Sequence, residues 1–276
     1  MIGVDTWFDG VQRAGIVLGL VLAVSNEAPR AWGSDPLAEK ELSAGRDPSF
    51  ASVSSHYPAM KRPREVIGVK EHRDEFIIMP DGRVNFTPIR VDHWRGHTPE
   101  KSGNAFFTLG EPATAFGKAG GKTLAKKRLH EGCLPIVIAD FEHGGLKYEQ
   151  TAVAWSGGMS PDEPIWAFVR LKVSNPGDRQ LDVPLTWHVD YGTGQERKVR
   201  KVASWNWKLA PGAEQTVYGK LPFLDGYEKA VKSTADEFDK RLEEASAFWM
   251  QLLNKGIRIS VPERRVNDAY RAWLAY

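Results

Sequence analysis

His93 and His97 lie four residues apart in Asp92-His93-Trp94-Arg95-Gly96-His97, a spacing that on a helix brings two imidazoles to one metal ion. Gly96 between them and Pro99 after them oppose a helix, and no glutamate follows His93, so ordinary loop or strand histidines are expected. Ala119-Gly120-Gly121-Lys122-Thr123 resembles the end of a phosphate-binding loop, but the position that needs the first glycine holds Phe116, with Gly117 one place off. Its glycines fit a flexible loop whose solvated face is Lys118, Lys122, Lys126, Lys127 and Arg128. No Gly-x-Ser-x-Gly elbow is present, and nothing points to a cofactor. Glycosidic chemistry needs one carboxyl as acid and a second facing it across the sugar. Glu142, Glu149, Asp190 and Glu196 are available, with salt bridges and turn caps as their ordinary use.

Ten tryptophans exceed what a chain of 276 residues needs to fill a core. Most are expected as large sheet-core residues, and a few as rings that stack on sugars, since an indole offers an apolar face with a polar edge. Trp94, Trp155, Trp205 and Trp207 are the candidates for carbohydrate contact, because they lie within or beside polar strand and turn segments. Trp205 and Trp207 share one strand face by the period of two and are expected to serve as core anchors rather than as a platform.

Thirty-seven basic against 35 acidic residues leave a formal charge of +2, which argues against an overall nucleic-acid footprint. Cys133 is the only cysteine, so no intrachain disulfide can form, and a buried thiol is expected. Ala14–Val24 is an apolar run too short to span a bilayer comfortably, so no stable membrane span is expected. Its place after Arg13 and before small residues fits an export signal, whereas Asp5, Asp9, Trp7 and Phe8 fit a buried terminal element. The first reading makes the protein periplasmic or extracellular, the second cytoplasmic. Residues 1–31 thus read as a signal peptide or terminal segment, and 32–64, rich in Ser, Pro and charge, as a linker or extended arm.

The elements that must position these residues begin near Glu65. Phe76–Met79, then Pro80-Asp81-Gly82-Arg83, then Val84, Phe86 and Ile89 form a hairpin signature. Phe106–Leu109, Leu134–Phe141, Leu146–Trp155, Trp166–Val173, Leu181–Tyr191, Lys198–Leu209 and Gln215–Leu221 follow as strands between Gly, Pro and Asn turns. With no crossover helices among them, residues 65–224 predict a mainly β fold, a large antiparallel β-sandwich. At Tyr227 the period changes: Phe238, Leu242, Ala245, Trp249 and Leu252 share a helical face, in a helix over 227–254 with Gly256 as its C-cap. A second helix opening at Pro262 carries Val266, Ala269, Tyr270, Trp273 and Leu274.

Three segments resemble the front of bacterial six-hairpin glycosidase-like proteins: Gly145–Thr151 with the strand to Trp155, Leu209–Val217, and Phe248–Glu263 continued by Val266–Tyr270. The resemblance covers roughly residues 65–276 and implies an N-terminal supersandwich, a linker helix over 225–256, and the first helix of a truncated (α/α)6 barrel over 257–276. The family's catalytic carboxylates lie in the barrel and have no positions here to occupy, so no catalytic residue is assigned. The chain is therefore expected to be the non-catalytic β-sandwich portion of a glycoside-hydrolase-like protein, inactive alone, packing against its barrel and shaping the cleft. Its implied partners are that barrel and an oligo- or polysaccharide, with weak self-association through the C-terminal helices when the barrel is absent. Two alternatives stay open: a free-standing carbohydrate-binding module, and a small hydrolase built from Asp92, His93, His97, Glu149 and Asp190.

Overall fold

A computed structural model describes residues 40, 43–45, 65–86, 102–110, 114–119, 122–123, 125–193, 196–223, 225–256, 260–262 and 264–275. The chain divides into Met1–Lys61, of which only Lys40 and 43–45 are described, and Arg62–Tyr276. The N-terminal apolar run lies outside the described residues.

The second unit is mainly β, with antiparallel pairing throughout. Its strands are β1 (Glu65–Ile67), β2 (Phe76–Ile78), β3 (Val84–Asn85), β4 (Ser102–Leu109), β5 (Thr114–Ala115), β6 (Lys118–Ala119), β7 (Lys122–Thr123), β8 (Lys126–His130), β9 (Leu134–His143) and β10 (Leu146–Trp155). Then come β11 (Trp166–Ser174), β12 (Leu181–Thr193), β13 (Glu196–Leu209) and β14 (Glu214–Pro222). Helix α1 (Gly226–Lys229), strand β15 (Val231–Lys232) and helices α2 (Ala235–Lys255) and α3 (Arg264–Ala275) complete the order. The first sheet runs β1-β2-β3-β4-β12-β13 with β5 on β4, the second β15-β14-β11-β10-β9-β8, and β6 pairs with β7 alone.

The β2–β3 hairpin closes where the Asp-Gly turn predicts it, with Gly82 N–H donating to Met79 O at 2.8 Å and Met79 N–H to Arg83 O at 2.9 Å. The Lys118–Thr123 segment is a short antiparallel pair rather than a strand-to-helix turn, which removes the helix N-terminus a phosphate loop needs.

Alternation fixes which faces meet. Leu146, Tyr148, Gln150, Ala152 and Ala154 of β10 are all buried, and Gln150 Nε2 donates across to Gly82 O of the first sheet's β2–β3 turn at 2.6 Å. In the first sheet Trp187 is 1% exposed, stacks with Phe107 at 6.1 Å, and lies against Gly219 of the second sheet. A Cβ on Gly219 would come within 2.4 Å of that indole, so the close approach requires glycine. Phe76 and Phe223 add an edge contact at 5.3 Å.

β9 reads as a continuous apolar run because Leu134–Ala139 is buried on both faces. One face meets the first sheet, and α2 and α3 pack on the other. Helix α2 buries Phe238, Ala245, Trp249 and Leu253, the face predicted by its periodicity, with Leu253 rather than Leu252 as its last fully buried member. Its start differs from the expected Tyr227. Val231 and Lys232 pair with β14 as an edge strand, and the helix begins at Ala235, where the Thr234 hydroxyl accepts from Glu237 N–H at 3.2 Å. Gly256 is the C-cap, but at φ −82° it is extended rather than left-handed. Helix α3 begins at Arg264, two residues after Pro262, and the Asn267 amide pairs with both backbone groups of Val261, at 2.9 and 2.8 Å.

A cavity of about 140 Å³ lies between β1 and the helices, lined by Val66, Gly68, Glu75, Pro135, Trp249 and Leu274. Burial pushes the Glu75 carboxyl above its ordinary value, only partly offset by His72. An acid with a raised native pKa is destabilising when ionised, and that penalty is relieved as pH falls through the raised value, disappearing below the ordinary 4.5. Glu75→Gln is therefore expected to raise the urea midpoint at pH 7 and to leave it unchanged near pH 4, which paired melts at the two pH values check.

Candidate functional site

Around the α3 axis, residues fall into two sectors by the 100° step of a helix. One sector holds Asn267, Asp268, Arg271, Ala272 and Ala275, and it is the sector turned to the body. Asn267 holds Val261, Asp268 sits against Gly132 in the β8–β9 turn, and Arg271 reaches the Met250 sulfur at 3.2 Å. The opposite sector holds Val266, Ala269 and Trp273, with Tyr270 and Leu274 at its edge. Val266 is 51% exposed, Trp273 75% and Leu274 37%, and α3 has no fully buried residue. An ordinary surface helix turns its apolar stripe to the core and its polar face to water. Here the arrangement is inverted.

The tryptophans singled out from the sequence separate in space. Trp94, like Asp92, His93 and His97, lies outside the described residues. Trp155 is half-buried at the end of β10, beneath the Arg241 guanidinium of α2 at 3.8 Å from its ring centre, and it meets Phe168 edge-on at 6.3 Å. One indole face is thus occupied by a cation. Trp205 and Trp207 do share a face of β13, with rings 6.4 Å apart and tilted by 36°. That face is the inward one, because their partners across the ladder are Leu185 and Val183, both 1% exposed. Both rings are half-buried against the core at the sheet's edge, with Lys232 Nζ 5.1 Å from the Trp205 centroid.

Glu149 and Asp190 do not converge. Glu149 stands on the outer face of the second sheet, where Arg128 binds it at 2.8 Å and also binds Asp140. Asp190 stands on the outer face of the first sheet, where its Oδ1 accepts from Asn104 N–H at 3.1 Å, from Asn104 Nδ2 at 2.9 Å and from Arg197. Cys133 is buried, and burial holds its thiol above the ordinary value, so it is no activated nucleophile. Among the described residues no group of three His, Cys, Asp or Glu can hold a metal ion, and no helix is long and apolar enough to cross a membrane.

The outer face of the first sheet holds a set that motif reasoning passed over. Phe106 and His188 pair across β4 and β12, with rings 5.4 Å apart and 20° from parallel, and Thr108 Oγ1 is 3.1 Å from His188 Nε2. Burial, then Lys201, holds the imidazole below its ordinary value, so it is uncharged at neutral pH. The signal was available in the alternation of Ser102–Leu109, where Phe106 interrupts the polar set Ser102, Asn104 and Thr108. Compared with known proteins, the chain matches no family model and no curated protein sequence.

Proposed function

We propose that this chain is the non-catalytic β-sandwich portion of a glycoside-hydrolase-like carbohydrate-active protein, docking through α3 onto a helical domain of the (α/α)6 type. The inverted helix carries the reading. Its polar side is already used on the body, and the Val266–Trp273 stripe is left for a second apolar surface. Covering a large apolar side chain contributes ~1.5–3 kcal/mol, so Trp273, with Val266 beside it, supplies a substantial part of a docking energy. The two facing sheets are read as a supersandwich, in agreement with the resemblance of Gly145–Thr151 and Phe248–Glu263. The Ala14–Val24 run, read as an export signal, places the protein in the periplasm or outside the cell.

The separation of Glu149 from Asp190 speaks against a hydrolase built on that pair, whose two carboxyls would have to lie within about 5–10 Å. The purified chain is expected to turn over no α- or β-linked aryl glycoside. Turnover that survives repurification and is lost in Glu149→Gln would sink that expectation. Docking is tested by residue-resolved hydrogen exchange with sedimentation over a concentration series. The expected result is weak protection over 264–275 in dilute monomer and self-association as concentration rises. Strong protection through Ala275 in a strictly monomeric species would show that α3 needs no partner.

A further inference from the structure

The ladder of β4, β12 and β13 sets three rungs side by side on the outer face of the first sheet. Thr108, Thr186 and Ser204 form a hydroxyl rung, with Thr186 Oγ1 3.1 Å from Ser204 Oγ. Phe106, His188 and Lys201 form a ring rung, and Asn104, Asp190 and Val199 an amide–carboxylate rung. Residues two apart on a strand are separated by roughly 6.6–6.8 Å, so a hydrogen-bonding rung lies about one sugar width to either side of the rings. The Asp190 side chain is 13% exposed. Its Oδ1 takes three donors, while its Oδ2 has no partner among the described residues.

A solvated sheet face needs only polar residues. A half-buried phenylalanine stacked on an uncharged imidazole, between hydroxyls and an oriented carboxylate, goes beyond that need. The π face of such rings carries partial negative charge and attracts polarised C–H groups, and Asp190 Oδ2 can accept from a sugar hydroxyl. We infer that this face binds a neutral saccharide, with one pyranose ring lying on Phe106 and His188 and its hydroxyls directed to the rungs on both sides. The inference rests on the carbohydrate part of the function proposed above and needs no docking through α3.

The test is an NMR titration of the whole chain with hexasaccharides of β-1,4-linked glucose, xylose and mannose, and with oligogalacturonate as the charged control. At least one neutral probe is expected to shift Phe106, Thr108 and His188 saturably. Affinity falls about tenfold or more in Phe106→Ala, the size of one well-packed contact, and is unchanged in Lys240→Ala on α2. Ser204→Arg, at an exposed position, blocks the hydroxyl rung without touching the core and serves if the Phe106 variant does not fold. No shift with any neutral probe at about 10 mM, shifts with the charged control alone, or shifts that survive Ser204→Arg in a folded protein each overturn the inference. Sugar binding that fails while concentration-dependent association persists would remove this site and leave α3 docking standing.

Discussion

Trp187→Ala is expected to cost the fold about 3–5 kcal/mol, the range for removing a large aromatic side chain from a packed core. Trp187 is 1% exposed and joins the two sheets: Phe107 stacks on it within its own sheet, and Gly219 of the other sheet meets its six-membered ring. The vacated space cannot be refilled by a small shift, because the β14 backbone is pinned in its ladder with β11 by nine register partners, from Trp166↔Pro222 to Ser174↔Glu214. At ~2–4 °C per kcal/mol for a chain of this size, the melting temperature drops by roughly 10 °C. The converse substitution, Gly219→Val, meets the same indole from the other side and is expected to be comparably damaging. Calorimetry on both variants decides the matter. A loss under about 1 kcal/mol for Trp187→Ala would mean the sheets are held together elsewhere.

Trp273→Glu is expected to do the opposite: leave folding within about 0.5 kcal/mol of the parent and abolish self-association. The indole is 75% exposed on the side of α3 away from the body, so a carboxylate there loses little packing. Placed within an apolar contact between two copies, the same carboxylate is a desolvated charge without a partner. Trp249→Ala is the matched contrast, since that ring is 3% exposed beneath α2 and its loss is expected to destabilise by about 3–5 kcal/mol. Sedimentation and thermal melts of the two variants separate a partner-facing tryptophan from a core one. Equal destabilisation by both would place Trp273 in the chain's own core.

How far these features could be read from sequence depends on the range of the physics behind them. The strands from Leu134 to Pro222 were legible because a period of two and Gly or Pro turns are local signals, and Leu146–Trp155 was delimited to the residue. The run Leu134–Phe141 announced a strand, without saying that both its faces would be covered, one by a sheet and the other by helices. The Val231–Lys232 strand was taken for helix because two residues carry no period of their own; their pairing with Gly219 and Lys220 decides them. Trp205 and Trp207 could be put on one face, but whether that face looked inward depended on Leu185 and Val183 lying opposite, a matter of register. In α3 the periodicity located the stripe at Val266, Tyr270 and Trp273. It could not tell that Asn267 and Arg271 would take the inner side, since amphipathicity marks a face and not its neighbour. The Phe106–His188 pair was hidden for a related reason: the residues are neighbours only because β4 lies beside β12.

That adjacency also bears on the order of events during synthesis. β8, β9 and β10 each pair with the next strand in the chain, and β14 then closes on β11, so most of the second sheet can assemble as its residues leave the ribosome. β4 has no such liberty. Its main partner begins at Leu181, about seventy residues after Leu109, and at roughly 5–20 residues per second that is a wait of several seconds. Through that interval Ala105, Phe107 and Leu109 have no β12 to cover their strand edge. The nascent first sheet is therefore the stage at which an apolar strand edge stays uncovered longest, and slower translation between Leu109 and Leu181 lengthens that exposure.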